Sequence, residues 1–271
     1  MIIPASNEAD YIGPCLAAVL ASAVVPGGAE VIVVANGCCD DTAARARGFA
    51  RQAEAAGWGF TVIERAQGGK IGALNAGDAA AQGNMRAYLD ADVVVSADLM
   101  AQIVTSLAGT DARYASGRAV IPRAKSAVTR AYARFWQTLP FAQSDAPGYG
   151  FFAVNAAGRA RWGAFPDIIS DDTFVRLQFS PPERISCPAP YHWPMIEGFA
   201  ALVRVRRRQD AGVAEINALY PEILANEGKA RLGLWGVLRR AASDPLGFAS
   251  YAAVSLMVRL RRGGRDWTRG R

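Results

Sequence analysis

The sequence predicts an α/β fold with a mostly parallel sheet and helices on both of its faces. Three observations carry that expectation. Short β-rich runs alternate with Ala-rich helical stretches throughout the first half, the rhythm of strands joined by crossover helices. One run, Val31-Ile32-Val33-Val34, is continuously apolar, as a strand buried on both faces must be. The chain has 271 residues and is 51% hydrophobic, enough to enclose a large core within one unit.

Taken in order, residues 1–4 read as a strand and 8–22 as the helix after it. Residues 30–35 form the buried strand, and 41–56 a helix with Asp40 or Asp41 to cap it. Residues 60–64 are a strand, 71–82 a helix and 85–89 another strand. Further on, 97–107 is helical, 114–121 a strand and 126–139 an amphipathic helix bearing aromatic residues. Residues 148–155 are rich in glycine and aromatics, as a strand lining a site would be. Beyond Asp172 the alternation is lost, apart from helices near 196–209, 212–225 and 233–242. No repeat or linker divides the chain. The expected organisation is a catalytic unit over 1–212, with a donor half at 1–95 and an acceptor half at 96–212. A helical extension with a basic tail follows at 213–271.

The net charge is +6, which favours anionic partners. Nucleic acid is not expected, because the basic residues are scattered or terminal and not interleaved with aromatics on one face. Cys15, Cys38, Cys39 and Cys187 form no C-x-x-C pair and read as reduced thiols. The chain opens Met-Ile-Ile-Pro and reaches Glu8 without a basic leader, and no apolar run approaches the roughly 20 residues of a membrane span. The expectation is therefore a cytoplasmic protein. At the C-terminal end, residues 246–258 are largely apolar, and Arg259, Arg261, Arg262, Arg265, Trp267 and Arg269 follow. This pattern suits either peripheral docking on an anionic membrane surface or a helix packed on the domain with a basic tail.

Candidate site residues fall at the carboxyl ends of the early strands, where open α/β sheets bind ligands. Asp90-Ala91-Asp92 ends the strand at 85–89. Carboxylates at i and i+2 on a strand end point the same way and can hold a hard divalent cation through oxygen. The first strand ends in Pro4-Ala5-Ser6-Asn7-Glu8. The second ends in Asn36-Gly37-Cys38-Cys39-Asp40-Asp41-Thr42, where Asn36 or Asp40 offers acceptors to a base or ribose. Gly68-Gly69-Lys70 then leads into a helix carrying Asn75 and Gly77, a glycine loop with a lysine suited to phosphate. Asp171-Asp172 are either a general base with a neighbouring carboxylate or the capping acids of a helix; local sequence leaves both open. Tyr149 and Phe151, around Gly150, either stack on a ligand or belong to the core.

The ordered set Ile-Ile-Pro-Ala-x-Asn-Glu, Ala-Asn-Gly-x-x-Asp-x-Thr, Gly-Lys-x-x-Ala-Leu-Asn-x-Gly and Asp-Ala-Asp resembles glycosyltransferase family 2 over roughly residues 1–212. That resemblance implies the Rossmann-like GT-A fold of nucleotide-diphospho-sugar transferases, a sugar-nucleotide donor, Mg²⁺ or Mn²⁺, and inversion at the anomeric carbon. It implies that Pro4, Ala5, Asn7, Glu8, Asn36 and Asp40 surround the nucleoside, with Lys70 and Asn75 near it or near the diphosphate. Asp90 and Ala91 would face the nucleotide or sugar, and Asp92 with Asp90 would take the metal. Asp172 would be the base beside Asp171, and Tyr149, Gly150 and Phe151 would line the acceptor side. A saccharide or lipid-linked glycan acceptor, in cell-surface or exopolysaccharide synthesis, is the matching expectation.

Two departures qualify the likeness. Membrane-bound relatives carry Gln-x-x-Arg-Trp where this chain has Arg204-Val205-Arg206-Arg207-Arg208-Gln209. With the leading glutamine and the tryptophan missing, single addition is expected over polymerisation, and Arg207 or Arg208 is left as the diphosphate contact. His192 reads as a structural histidine, with metal ligation the alternative. A sugar-nucleotide nucleotidyltransferase would carry a glycine-rich basic loop after the first strand, where this chain has Pro-Ala-Ser-Asn-Glu. The remaining alternative is a non-catalytic nucleotide- or nucleic-acid-binding protein.

Overall fold

The computed structural model describes residues 1–228 and 232–260. In chain order the elements are β1 (Ile2–Ala5), α1 (Ile12–Leu20), β2 (Ala29–Asn36), α2 (Thr42–Arg47), α3 (Ala50–Ala55), β3 (Trp58–Arg65), α4 (Lys70–Ala80), β4 (Arg86–Leu89), β5 (Val94–Val95) and α5 (Leu99–Leu107). There follow β6 (Tyr114–Val120), α6 (Ala127–Trp136), β7 (Phe151–Val154), α7 (Ala156–Arg159), α8 (Asp171–Leu177), β8 (Arg184–His192), α9 (Phe199–Leu219), α10 (Leu234–Ser243) and α11 (Pro245–Leu260).

All eight strands form one sheet in the order β3-β2-β1-β4-β7-β6-β8-β5. The β3-β2-β1-β4 half is parallel throughout. Beyond β4 the direction alternates: β7 runs antiparallel to β4 and β6, β8 parallel to β6, and β5 antiparallel to β8. The chain works outward from β1 to β3, then returns to the other side of β1 with β4. That reversal opens a crevice at the carboxyl ends of β1 and β4.

Helices cover both faces. On one, α1 and α5 bury Ile12, Leu16, Val19, Leu99 and Ile103 against Ile3, Val33 and Phe151. On the other, Leu74 of α4 and Phe174 of α8 pack with Ile2, Tyr88 and Phe152. A third cluster joins Tyr132 of α6, Leu202 of α9 and Val254 of α11.

Two glycines permit close approaches that position the site. A Cβ on Gly77 would lie 2.4 Å from Ile2 Cγ2, so only glycine lets α4 rest on β1. Gly37 has φ +56°, and a Cβ there would meet Gly68 Cα at 2.7 Å, so the β2 turn and the loop before α4 touch through glycine. The far end of α4 is anchored by partly buried Asp78, which accepts from Tyr88 Oη at 2.8 Å and pairs with Arg159 at 2.9 Å.

Several sequence expectations shift. The helix expected over 41–56 breaks into α2 and α3 at Gly48-Phe49, where Phe49 turns in against the core. The helices expected at 196–209 and 212–225 merge into the single α9. It runs through Gly212, where a Cβ would lie 2.1 Å from Ser170 Oγ. The unit boundary expected at 212 thus falls inside a helix. Strand β8 was not anticipated, since Pro188 and Pro190 disguise it. Residues 246–258 lie within α11, which packs on the domain through Val254, Val258 and Tyr251. The expected tail arginines at 261–271 lie outside the described residues.

Gly77→Val should lower the thermal midpoint by several degrees, an overpacking cost of about 1–3 kcal/mol. Gly163→Ala should leave it unchanged, because a Cβ there has no neighbour within 4 Å. Calorimetry on the two variants checks this.

Candidate active site

A cleft of about 470 Å³ opens at the carboxyl ends of β1, β2 and β4. One wall is polar and comes from strand ends: Ser6, Asn7, Glu8, Asn36, Lys70, Asp90 and Asp92. The facing wall is largely apolar and comes from α6, the chain after β8, and α9. Tyr132, Trp136, Trp193, Met195, Leu202 and Val205 line it.

The polar wall is laced together before any ligand arrives. Asn7 adopts φ 55°, and its Oδ1 accepts from Cys39 N–H at 2.7 Å. Asp40 accepts from Thr42 N–H at 3.1 Å and from Ala9 N–H at 3.2 Å, while Glu8 N–H donates to Thr42 Oγ1 at 2.8 Å. Buried Asn36 donates to Ala5 C=O at 2.9 Å and accepts from Gly69 N–H at 2.9 Å. One amide thus fixes the end of β1, the end of β2 and the start of α4.

At the inner end, Lys70 Nζ lies 2.9 Å from Asp90 Oδ1 and 3.1 Å from Asp171 Oδ2. Lys70 is the first residue of α4, Asp90 follows β4, and Asp171 opens α8. Asp90 N–H donates to Gly150 C=O at 2.9 Å, which ties the Asp-Ala-Asp turn to the chain before β7. Asp171 and Asp172 line the same recess as Lys70 and Asp90. Burial pushes the Asp171 carboxyl up from its usual 3.8 to about 6; Lys70 opposes the rise, and Asp172 and Asp90 add to it. For Lys70, burial would lower the pKa, but the charges of Asp171, Asp90 and Asp172 reverse this and raise it, so the ammonium stays charged.

Asp92 lies on the cleft next to Ala91 and Asp90, an all-oxygen pair of the kind hard divalent cations take. Among the described residues no three His, Cys, Asp or Glu side chains converge on one point. Asp90 and Asp92 thus offer oxygen donors of the type a divalent cation would use, without a third such side chain beside them among the described residues. His192 stands exposed at the end of β8, where it pairs with Val94, and belongs to no such cluster among the described residues.

Several expected contacts lie elsewhere. Asn75 does not line the cleft; its amide donates to Phe165 C=O at 3.1 Å and accepts from Phe165 N–H at 2.7 Å, holding the loop before α8. Exposed Asp40 and buried Ala5 are not among the lining residues; they act as braces. Phe151 is fully buried on the α1 face, because period-two alternation sends it inward while Phe152 takes the other face. Tyr149 is buried too, 4.7 Å centroid to centroid from Trp193 and 5.2 Å from Trp136, so it supports the lining aromatics from behind. Gly150 lines the inner recess. The helical phase of α9 presents Leu202, Val205, Arg206, Arg208 and Gln209 to the cleft and turns Arg207 away.

Trp136, Trp193 and Arg206 were not foreseen as lining residues. The aromatic content of α6 was the available signal for Trp136. Arg206 bonds Tyr251 Oη of α11 at 3.0 Å, a partner 45 residues away that no local pattern shows.

The family described as Glycosyl transferase family 2 matches residues 1–161, more than half of the chain. A search of curated proteins found no match. Among solved structures, the chain is similar to the mannosyltransferase PcManGT from Pyrobaculum calidifontis in complex with GDP-Man and Mn²⁺. The two are 20% identical with a TM-score of 0.60, over 94% of this chain and 74% of that one. It is also similar to residues 1–349 of S. aureus TarS in complex with UDP: 15% identity, TM-score 0.53, over 99% of this chain and 94% of that one. The complex of the same TarS fragment with UDP-GlcNAc gives 14% identity and a TM-score of 0.53 over the same shares. At these identities the likeness establishes the fold, which is GT-A.

Lys70→Met removes the cation that lets buried Asp171 ionise. Because its folded pKa is raised, Asp171 contributes stability below about 3.8 that is lost as pH climbs through about 6. Without Lys70 that loss grows. The variant should be less stable than the wild type at both pH 5 and pH 7.5, because the Asp90 pair is lost throughout, and the deficit should be larger at pH 7.5, where Asp171 is ionised and has lost its partner as well. Thermal melts across pH test this; a deficit independent of pH would refute it.

Proposed function

The chain belongs to glycosyl transferase family 2 and is a glycosyltransferase, and from that premise we propose that it transfers a sugar from a nucleotide-diphospho-sugar to a hydroxyl acceptor with inversion. The observation that carries the reading is the meeting of Lys70, Asp90 and Asp171 beside Asp172, where the polar cleft wall reaches the inner recess. The donor half, 1–95, supplies Pro4, Asn7, Glu8 and Asn36 to the nucleoside end and Lys70 with Asp90 to the diphosphate. The complexes with GDP-Man and with UDP-GlcNAc support a nucleotide sugar as donor.

In the transfer, the acceptor hydroxyl oxygen forms its bond to the anomeric carbon as the bond to the diphosphate oxygen breaks on the opposite face. Asp172 takes the hydroxyl proton. Asp171 is held by Lys70 and serves as a positioning residue, which leaves the base role to its neighbour. Asp92, with Asp90, would hold Mg²⁺ or Mn²⁺, the ion supplying charge neutralisation to the leaving diphosphate; the Mn²⁺ complex of the mannosyltransferase supports this. Arg206 and Arg208 add positive charge at the cleft edge, which suits an anionic leaving group.

The apolar wall within 96–212 is where the acceptor binds, with Trp136 and Trp193 offering ring faces to a saccharide or lipid-linked glycan. Single addition in cell-surface or exopolysaccharide synthesis at the cytoplasmic face is the matching role. Among the described residues no helix is long and apolar enough to cross a membrane. A sugar-nucleotide nucleotidyltransferase is not favoured, since the loop after β1 is neither glycine-rich nor basic.

Thermal stabilisation across UDP-, GDP- and dTDP-sugars with Mg²⁺ or Mn²⁺ should single out one donor class, and the absence of any response would sink the proposal. Asp172→Asn should lower kcat about 10²–10⁴-fold with donor affinity retained. Loss of donor binding would instead put Asp172 among the binding residues.

A further inference from the structure

The C-terminal third contains a surface that glycosyl transfer does not use. Helix α10 buries none of its residues. Leu234 is 72% exposed, Trp235 83% and Leu238 48%, and Leu246 at the start of α11 is 73% exposed. Positions 234, 235 and 238 share one side of the helix, and Arg239 beside them is exposed. The helix is held to the body through Arg240, whose Nε donates to Thr138 C=O at 2.9 Å. Its apolar side is therefore presented to solvent by a fixed anchor, two residues past Trp136 of the cleft.

Charge identifies what covers that side. From Lys229 onward the chain carries ten of its 30 Lys and Arg residues but two of its 24 Asp and Glu, a net +8. The residues before Lys229 sum to −2. The whole positive balance of the chain thus belongs to the segment bearing the exposed leucines and tryptophan. A second copy would bring +8 against +8, so self-association through this side is opposed by its own charge. An anionic bilayer surface offers what the segment lacks: negative charge for the arginines and an acyl boundary for the apolar side chains. Tryptophan, with an apolar ring and one N–H donor, suits that boundary. Ten helical residues are about 15 Å long, enough to lie in the interface and too short to span it.

We propose that α10, together with Leu246, is a membrane-docking surface that seats the protein on an anionic bilayer. This moves the docking element from residues 246–258, largely packed on α6 and α9, to the preceding helix. The inference does not rest on the donor, the metal or the base.

The test is co-sedimentation of the full chain with vesicles of phosphatidylglycerol and phosphatidylcholine, against phosphatidylcholine alone, at 0.1 and 0.5 M salt. The wild type should sediment with the anionic vesicles, less at high salt, and stay in solution with the neutral ones. Trp235→Ser with Leu238→Ser should weaken anionic-vesicle binding about tenfold or more at an unchanged thermal midpoint. Val24→Ser, at a 92% exposed site in the first half of the chain, should bind as the wild type does. Equal binding by the double variant, equal binding to both vesicle types, or no binding would overturn the proposal. So would a wild-type dimer in analytical ultracentrifugation that the double variant abolishes, which would make the surface a self-association face. Transfer to a water-soluble acceptor, assayed without vesicles, reports separately on the catalytic reading.

Discussion

Three carboxylates, Asp90, Asp171 and Asp172, line the inner recess, with Asp92 on the adjoining cleft, and the Lys70 ammonium sits between two of them. Carboxylates held near one another in a partly dry site repel unless a cation lies between them. Lys70 answers part of that demand, and in doing so joins α4, the turn after β4 and the start of α8. The charge left over is negative, which is the condition under which a divalent cation and a diphosphate can enter together and leave the site near balance. The Lys70 bridge thus sets the shape of the inner recess and part of its charge balance.

Around that bridge the polar residues divide into braces and lining. Asn36 spends its amide on Ala5 and Gly69, Asn75 on Phe165, and Asp40 on Ala9 and Thr42. A buried amide must satisfy its donors and acceptors wherever it points, so a motif asparagine costs the fold least when it bonds backbone that also needs a partner. These braces hold the strand-end loops in place before a ligand arrives, which reduces the reorganisation left for binding. Asn36 does both, bracing three segments while still reaching the cleft surface.

The parallel half of the fold was readable because strands buried on both faces are continuous apolar runs, and Val31 to Val34 could be little else. The second half was not. Strand β8 carries Pro188 and Pro190, which remove two backbone donors and erase the usual strand signature. It persists because its outer neighbour, β5, asks for only two residues of pairing. In the site, the Asp-Ala-Asp turn and the Lys70 loop were visible as types in order along the chain. Which of Tyr149, Phe151 and Arg207 face the cleft was not, because that depends on strand alternation and helical phase. A shift of one residue moves Phe151 into the core and replaces Arg207 with Arg208.

The apolar wall has its own support, and it comes from the end of the chain. Helix α11 lies against α6 and α9, with Tyr251 stacked on Tyr132 at 5.5 Å and bonded to Arg206, and Asp244 pairs with Arg134 at 3.1 Å. Tyr132 and Arg206 are cleft residues, so the geometry of the apolar wall is set in part by Tyr251, 45 positions beyond Arg206. The segment after Gly212 is therefore better understood as a buttress of the apolar cleft wall than as an appendage to a finished unit. The same buttress carries α10. A bilayer meeting α10 would lie against the helix tethered to Thr138, two residues from Trp136, so that docking and acceptor entry would share one edge of the molecule.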